Sequence, residues 1–197
     1  MNNLLVGFFL ATLIISLFSA RLYALFGWYL LNSLMLSILA LTYGFQNYDN
    51  AMIISGTVTL ILKVIIMPYI LKILSQKYHL TRQIQSNIKV KYSVLLVPTI
   101  LVFTFYLAEP IIEVAKGHSS YVAISISSLF FALLLIIQQS AIIGKIVGFL
   151  MLENALFLLG TTAIDGMPLM IELGILLDFL MTIVIIVLAF KKEEVAA

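Results

Sequence analysis

The sequence predicts an all-α integral membrane protein of about seven transmembrane helices, with the N-terminus outside and the C-terminus in the cytoplasm. Three observations lead there. Sixty-three per cent of the 197 residues are hydrophobic and 10% are charged, against roughly 45–50% and about 25% in soluble domains. With a mean hydropathy of +1.17, a water-soluble fold of this size has too little interior to hide its apolar surface. The apolar residues gather into about seven runs near the length of about 20 residues that crosses a bilayer, and lysine and arginine are segregated between alternate loops.

The first run, 3–20, ends at Arg21, and the second covers 24–45. Met1-Asn2-Asn3 lacks the basic start of a signal peptide, and Phe18 stands where a small residue precedes cleavage after Ala20. The first run is therefore expected to be a retained helix. The polar turn Gln46-Asn47-Tyr48-Asp49-Asn50 leads into the third run, 51–71. Residues 72–92 form a long hydrophilic cytoplasmic loop, either a solvated anchor or a short surface helix for docking. The fourth run, 93–114, is separated by Lys116-Gly117-His118-Ser119 from the fifth, 121–143. Lys145 marks the turn to the short sixth run, 146–164, and Asp165-Gly166-Met167-Pro168 opens the last, 168–190. Pro168 suits the first helical position, where its missing N–H is not needed. No domain boundary or internal repeat divides this single membrane domain of 1–197.

Orientation follows from the cations. Loops after odd-numbered runs and the C-terminus hold Arg21, Lys72, Lys77, Arg82, Lys89, Lys91, Lys145, Lys191 and Lys192, whereas the opposite side holds Lys116 alone. That asymmetry places the basic side in the cytoplasm. Asp49, Glu109, Glu113 and Asp165 fall outside, in weak agreement.

Composition also excludes several chemistries. A net charge of +2, with no basic-aromatic array, argues against nucleic acid as a partner. With no cysteine, the chain holds no disulfide, thiolate-bound iron–sulfur cluster or Cys-ligated zinc. His79 and His118 lie far apart in polar loops, which argues against a bilayer haem. There is no phosphate-binding glycine loop, zinc-type histidine pair or nucleophile elbow. Ser125, Ser127 and Ser128 have no histidine in their run to act as base.

The informative residues are charges at depths where an ionisable group costs roughly 2.5–3.5 kcal/mol to insert. Lys63 lies past the middle of the third run, Glu153 near the centre of the sixth, Asp178 near the centre of the seventh, and Glu172 about one turn inside it. Glu153 and Asp178 sit at similar depth on consecutive antiparallel helices. Glu172 and Asp178 project about 120° apart and roughly 9 Å apart in depth, as successive stations rather than one dyad. Ser55, Thr59 and Lys63 repeat every four residues as a polar stripe, making Lys63 a candidate partner for a carboxylate. Such groups mark proton relays in pumps, or act as neutral donors that lock helices, while Lys63 can alternatively snorkel to the cytoplasm. Glu109 and Glu113, around Pro110, read as boundary anchors. Gly144 and Gly148 form a small-xxx-small pair suited to close packing. Gln138, Gln139 and Asn154 either bond between helices or line a wet path, and Tyr23, Trp28, Tyr29 and Tyr92 are interfacial or packing aromatics.

Two stretches carry a resemblance: Gly148 to Phe157 with Glu153-Asn154, and Met167-Pro168 to Asp178 with Glu172, Leu173 and Gly174. They resemble the Gly-x-x-x-x-Glu-Asn and Pro-x-x-x-Glu-Leu-Gly-x-x-x-Asp patterns of the hydrogenase-4 component E family, membrane subunits of group 4 NiFe hydrogenases. That family's last three helices are similar to the K subunit of complex I and the C subunit of Mrp-type antiporters. The resemblance covers 144–190 best; Ala155 departs from it where glycine often follows Glu-Asn.

The resemblance implies a K-subunit-like region at 119–190, preceded by N-terminal helices over 1–118. It further implies a non-catalytic subunit of a redox-driven pump in a prokaryotic cytoplasmic membrane. The NiFe centre and iron–sulfur clusters would be in peripheral hydrogenase subunits, beside antiporter-like and complex I H-subunit-like membrane partners. Glu153 matches the K subunit's key carboxylate, and the second falls at Asp178 or Glu172. An Mrp-type antiporter subunit and a structural adaptor are the rivals. A stand-alone transporter is disfavoured, because neither an inverted repeat nor a pair of Gly/Pro-broken helices is recognisable.

Overall fold

The computed structural model describes residues 2–77, 86, 88, 90–114 and 119–163. The expected last span, 168–190, with Glu172 and Asp178, lies outside the described residues, as do the Lys116-Gly117-His118 turn and most of the 72–92 loop. The described residues form α1 (Asn2–Leu17), α2 (Leu22–Asn47), α3 (Asn50–Thr59), a π-helical segment (Leu60–Ile66), α4 (Met67–Lys77), α5 (Val90–Val114), α6 (Ser119–Gln138) and α7 (Ile142–Ala163). Among them no strand occurs; Ser86 and Gln139 make one isolated antiparallel bridge. Five stretches are long and apolar enough to cross a membrane: Leu22–Asn47, Asn50–Gln76, Lys91–Pro110, Tyr121–Gln138 and Ile142–Thr161. α1 is a shorter apolar helix. Among the described residues the chain is almost entirely helical, with several helices suited to a multi-pass membrane protein.

Turn chemistry accounts for the sharpest boundary. Tyr48 ends α2 in the left-handed region at φ 54°, and the Asp49 N–H returns to the Gly44 carbonyl at 2.9 Å. The Asp49 carboxylate then accepts from the N–H groups of Ala51 and Met52 at 2.9 and 3.3 Å. Two orphan donors at the start of α3 are thereby satisfied.

Two boundaries differ from the sequence reading. The fifth run stops at Gln138 and α7 begins at Ile142, so the connection is Gln139-Ser140-Ala141 and not the Gly144-Lys145 region. Lys145 sits in the first turn of α7 with its side chain exposed, and a lysine that points outward need not end a helix. The third run extends to Lys77 and is interrupted by the π-helical segment. Its physical cue is Pro68: proline has no N–H to return to the preceding turn, and in α geometry its ring crowds the Val64 carbonyl. The wider i→i+5 turn relieves that crowding, and the Met67 N–H donates to the Leu62 carbonyl in this pattern.

Two hairpins make the centre of the fold. α1 packs on α2 and α6 on α7, and the hairpins meet through α1 on α6 and α2 on α7. Phe9, Leu13, Leu25, Tyr29, Leu36, Phe131, Leu135, Val147 and Leu150 fill this core. The α3–π–α4 rod lies along α2, and α5 lies along α6. Val102 and Tyr106 on α5 are each 74% exposed, an outward apolar face of the kind expected against lipid.

Polar side chains are tied locally. Gln138 Nε2 donates to the Leu17 carbonyl at 2.7 Å, capping the C-terminal end of α1 from α6. Thr104 Oγ1 and Ser127 Oγ share a hydrogen bond of 2.6 Å between α5 and α6. Ser125, Ser127 and Ser128 donate to the carbonyls four residues back. They are satisfied helix hydroxyls.

Close approach of α6 and α7 depends on Gly148, where an added Cβ would lie 2.8 Å from Ile136 Cγ1 and 3.2 Å from the Ile136 backbone nitrogen. The predicted small-residue contact is therefore made against backbone. Gly148→Val should cost about 1–3 kcal/mol through overpacking and lower the thermal midpoint of the purified chain in detergent. Gly7→Ala, where nothing lies within 4 Å, should leave the midpoint unchanged or slightly raised, since alanine is the better helix former.

Candidate functional site

Lys63 occupies the middle of the Asn50–Lys77 rod, and Glu153 the middle of α7. Their side chains meet. Lys63 Nζ lies 3.9 Å from Glu153 Oε2, with both residues about 4% exposed or less. The lysine therefore does not snorkel to the cytoplasmic surface; its ammonium turns inward to α7.

The π-helical segment supports this reach. Lys63 is its one buried residue. Ser55, Thr59, Lys63, Met67, Leu71 and Ser75 are all buried along the rod. In a regular α-helix a four-residue spacing drifts by about 40° per step, or about 200° across these six positions. A π turn contains more residues and drifts the opposite way, so the segment offsets part of this rotation and keeps Lys63 on the packed face. The polar stripe read from the sequence is real, and the wider turn extends it.

A second contact holds the ammonium. Lys63 Nζ donates to Asn154 Oδ1 at 2.8 Å. Asn154 Nδ2 donates to Asn32 Oδ1 at 2.8 Å and to Ser33 Oγ at 2.9 Å on α2. Asn32 Nδ2 in turn donates to the Phe9 carbonyl at 3.2 Å and to Thr12 Oγ1 at 3.0 Å on α1. Asn154, Asn32 and Ser33 are fully buried. A polar ladder thus runs from the π-helical segment through α7 and α2 to α1, beside the ion pair.

At 3.9 Å the pair attracts by about 4 kcal/mol at an effective dielectric near 20. That attraction is set against several kcal/mol of desolvation per ion, so additional polar contacts decide whether both charges can stay. Asn154 supplies one such contact to Lys63. On the α2 side, Gly56 permits the close approach: an added Cβ would lie 2.9 Å from Leu41 Cγ, and the Gly56 carbonyl accepts from Ser37 Oγ at 2.8 Å.

The pairing of Lys63 with a carboxylate was foreseeable, and the structure selects Glu153 for it. Asn154 was foreseeable as an interhelical bond. Asn32, Ser33 and Thr12 were missed, although Asn32 is a strongly polar side chain in an otherwise apolar run. Asp178 and Glu172 lie outside the described residues. Gln138 and Gln139 sit at the α6 end, with Gln138 joined to Ser93 Oγ at 3.4 Å and to α1.

Removing one member of a buried ion pair leaves the other uncompensated. Lys63→Met should destabilise the chain by on the order of 3 kcal/mol, and Glu153→Gln should also destabilise it. The double variant should lose less than the sum, with a coupling of roughly 1–3 kcal/mol. Thermal or denaturant unfolding in detergent measures all four proteins; additive losses would mean that the two charges do not interact.

No family model and no solved structure matches the chain. An uncharacterized Mycobacterium tuberculosis protein, Rv0085, is 24% identical over 153 residues, covering 77% of this chain and 70% of that protein. The chain is similar to a protein to which its name assigns no activity.

Proposed function

We propose that the chain is a non-catalytic membrane subunit of a redox-driven ion pump related to complex I and the group 4 NiFe hydrogenases, acting in a prokaryotic cytoplasmic membrane. The observation that carries the reading is the Lys63–Glu153 pair, buried midway along two helices. Ionisable groups buried at such a position mark proton relays in membrane pumps. Electron transfer in peripheral partners, which would hold the NiFe and iron–sulfur centres, would alter the field at this pair. Protons, or Na⁺, would then pass by way of Glu153, Asp178 and Glu172.

In this reading the chain has seven spans, with the N-terminus outside and the C-terminus in the cytoplasm. Its membrane neighbours would be antiporter-like and complex I H-subunit-like subunits. The alternative is a structural adaptor in which the charges only lock helices. The ladder from Lys63 to Asn154 and Asn32 favours that alternative to the extent that it ties four segments together.

Two experiments test the proposal. In sealed vesicles containing the assembled complex, Glu153→Gln should abolish coupled ion uptake while leaving assembly intact, and Glu153→Asp should retain part of it. Asp178→Asn should damage uptake more than Glu172→Gln, because the deeper position has less access to water. Parental uptake by Glu153→Gln would support the adaptor. For topology, a cysteine placed at Asn47 should react with an impermeant reagent added outside, and one placed at Gln83 should not; the reverse pattern would invert the chain.

A further inference from the structure

The ladder beside the ion pair has a polarity that its far end dictates. The Phe9 backbone carbonyl can only accept, so the end of the Asn32 carboxamide facing it must be the NH₂ group. Thr12 Oγ1 gives its own proton to that same carbonyl at 2.7 Å and therefore accepts from Asn32. Asn32 must then turn its oxygen toward Asn154. Asn154 answers with its NH₂ group, both hydrogens of which are used, on Asn32 Oδ1 and Ser33 Oγ. The Asn154 oxygen is left facing Lys63. A carboxamide whose neighbours are all hydroxyls could sit either way round; here the backbone acceptor on α1 and the donor-only ammonium of Lys63 select the same orientation from the two ends.

We infer that Asn32, which contacts neither member of the ion pair, is a positioning residue for Lys63, acting through Asn154 to keep a carboxamide oxygen against the ammonium. The reverse orientation would put N–H hydrogens against a cation. Because Lys63 is 2.8 Å from Asn154 Oδ1 and 3.9 Å from Glu153 Oε2, its nearer partner is the neutral one. Asn154 carries no charge to lose, so this contact does not depend on the charge of Glu153. The functional consequence rests on the relay reading: a fixed cation presents Glu153 with a constant field, whereas one held by the carboxylate alone would leave when the carboxylate is protonated. The orientation itself does not depend on that reading.

The test is the ¹⁵N resonance of the Lys63 ammonium, measured by solid-state NMR on the full chain with ¹⁵N-labelled lysine in lipid bilayers. It is identified as the signal lost in Lys63→Met. Asn32→Leu should move this resonance by more than its linewidth, because Asn154 loses the acceptor that orients it. Thr12→Val removes one rung with little change in shape and should move the resonance in the same direction by less. An unmoved resonance in Asn32→Leu, or in Thr12→Val should the leucine variant not fold, overturns the inference. If the resonance behaves as expected while Lys63→Met still supports parental ion uptake, the positioning stands and the relay fails.

Discussion

An ammonium and a carboxylate stand at the middle of two helices in a chain built for a bilayer, and neither reaches its surface. That constraint organises the structure around them. Ions in a low-dielectric interior are tolerated when paired and additionally hydrogen-bonded. Lys63 has both kinds of support, from Glu153 and from Asn154. The second kind extends over three helices, because each carboxamide that satisfies one neighbour must itself be satisfied. Thr12, Asn32, Ser33 and Asn154 form a connected set for this reason, placed where α1, α2 and α7 come together.

The backbone is adapted to the same end. Pro68 removes one backbone donor and crowds an ordinary α turn before it, and the wider turn found there contains Lys63; α5 holds Pro98 and Pro110 without such a turn, so proline favours the irregularity without imposing it. One local irregularity therefore relieves the proline and directs the lysine inward. π turns inside longer helices are frequent at functional sites. Here the π turn lies just before Pro68 and contains Lys63, whose ammonium meets Glu153. The glycines act with the opposite sign to the charges: Gly56 and Gly148 remove side chains so that neighbouring helices approach closely, and close approach is what lets short amide side chains span from helix to helix.

Much of this was legible in the sequence. Apolar runs of spanning length located the helices, because every backbone group in lipid must be satisfied within its own segment. The four-residue stripe of Ser55, Thr59 and Lys63 pointed to a packed polar face, and the expense of burying Lys63 pointed to a carboxylate partner. Other features depend on three-dimensional relations. Lys145 read as a turn because lysine is costly in lipid, yet it lies in α7 with its side chain outside the packed core. The π turn has no unambiguous sequence signal, since Pro98 and Pro110 stand inside α5 without one. Asn32 shows no sign of its role in the sequence because its partners, Phe9, Thr12 and Asn154, come from two other helices, one of them more than a hundred residues away. Glu172 and Asp178 remain sequence-based assignments.

These elements support one proposal: a buried pair of opposite charges in which the ladder would hold the cation and the carboxylate would be the group that changes state. Infrared difference spectroscopy during turnover of membranes containing the assembled complex tests that account most directly. It predicts a carboxylic C=O band that appears and disappears with turnover, moves to lower frequency in D₂O, and is missing in Glu153→Gln. A Glu153 side chain whose absorption stays constant throughout turnover would contradict it and leave the pair as a helix lock.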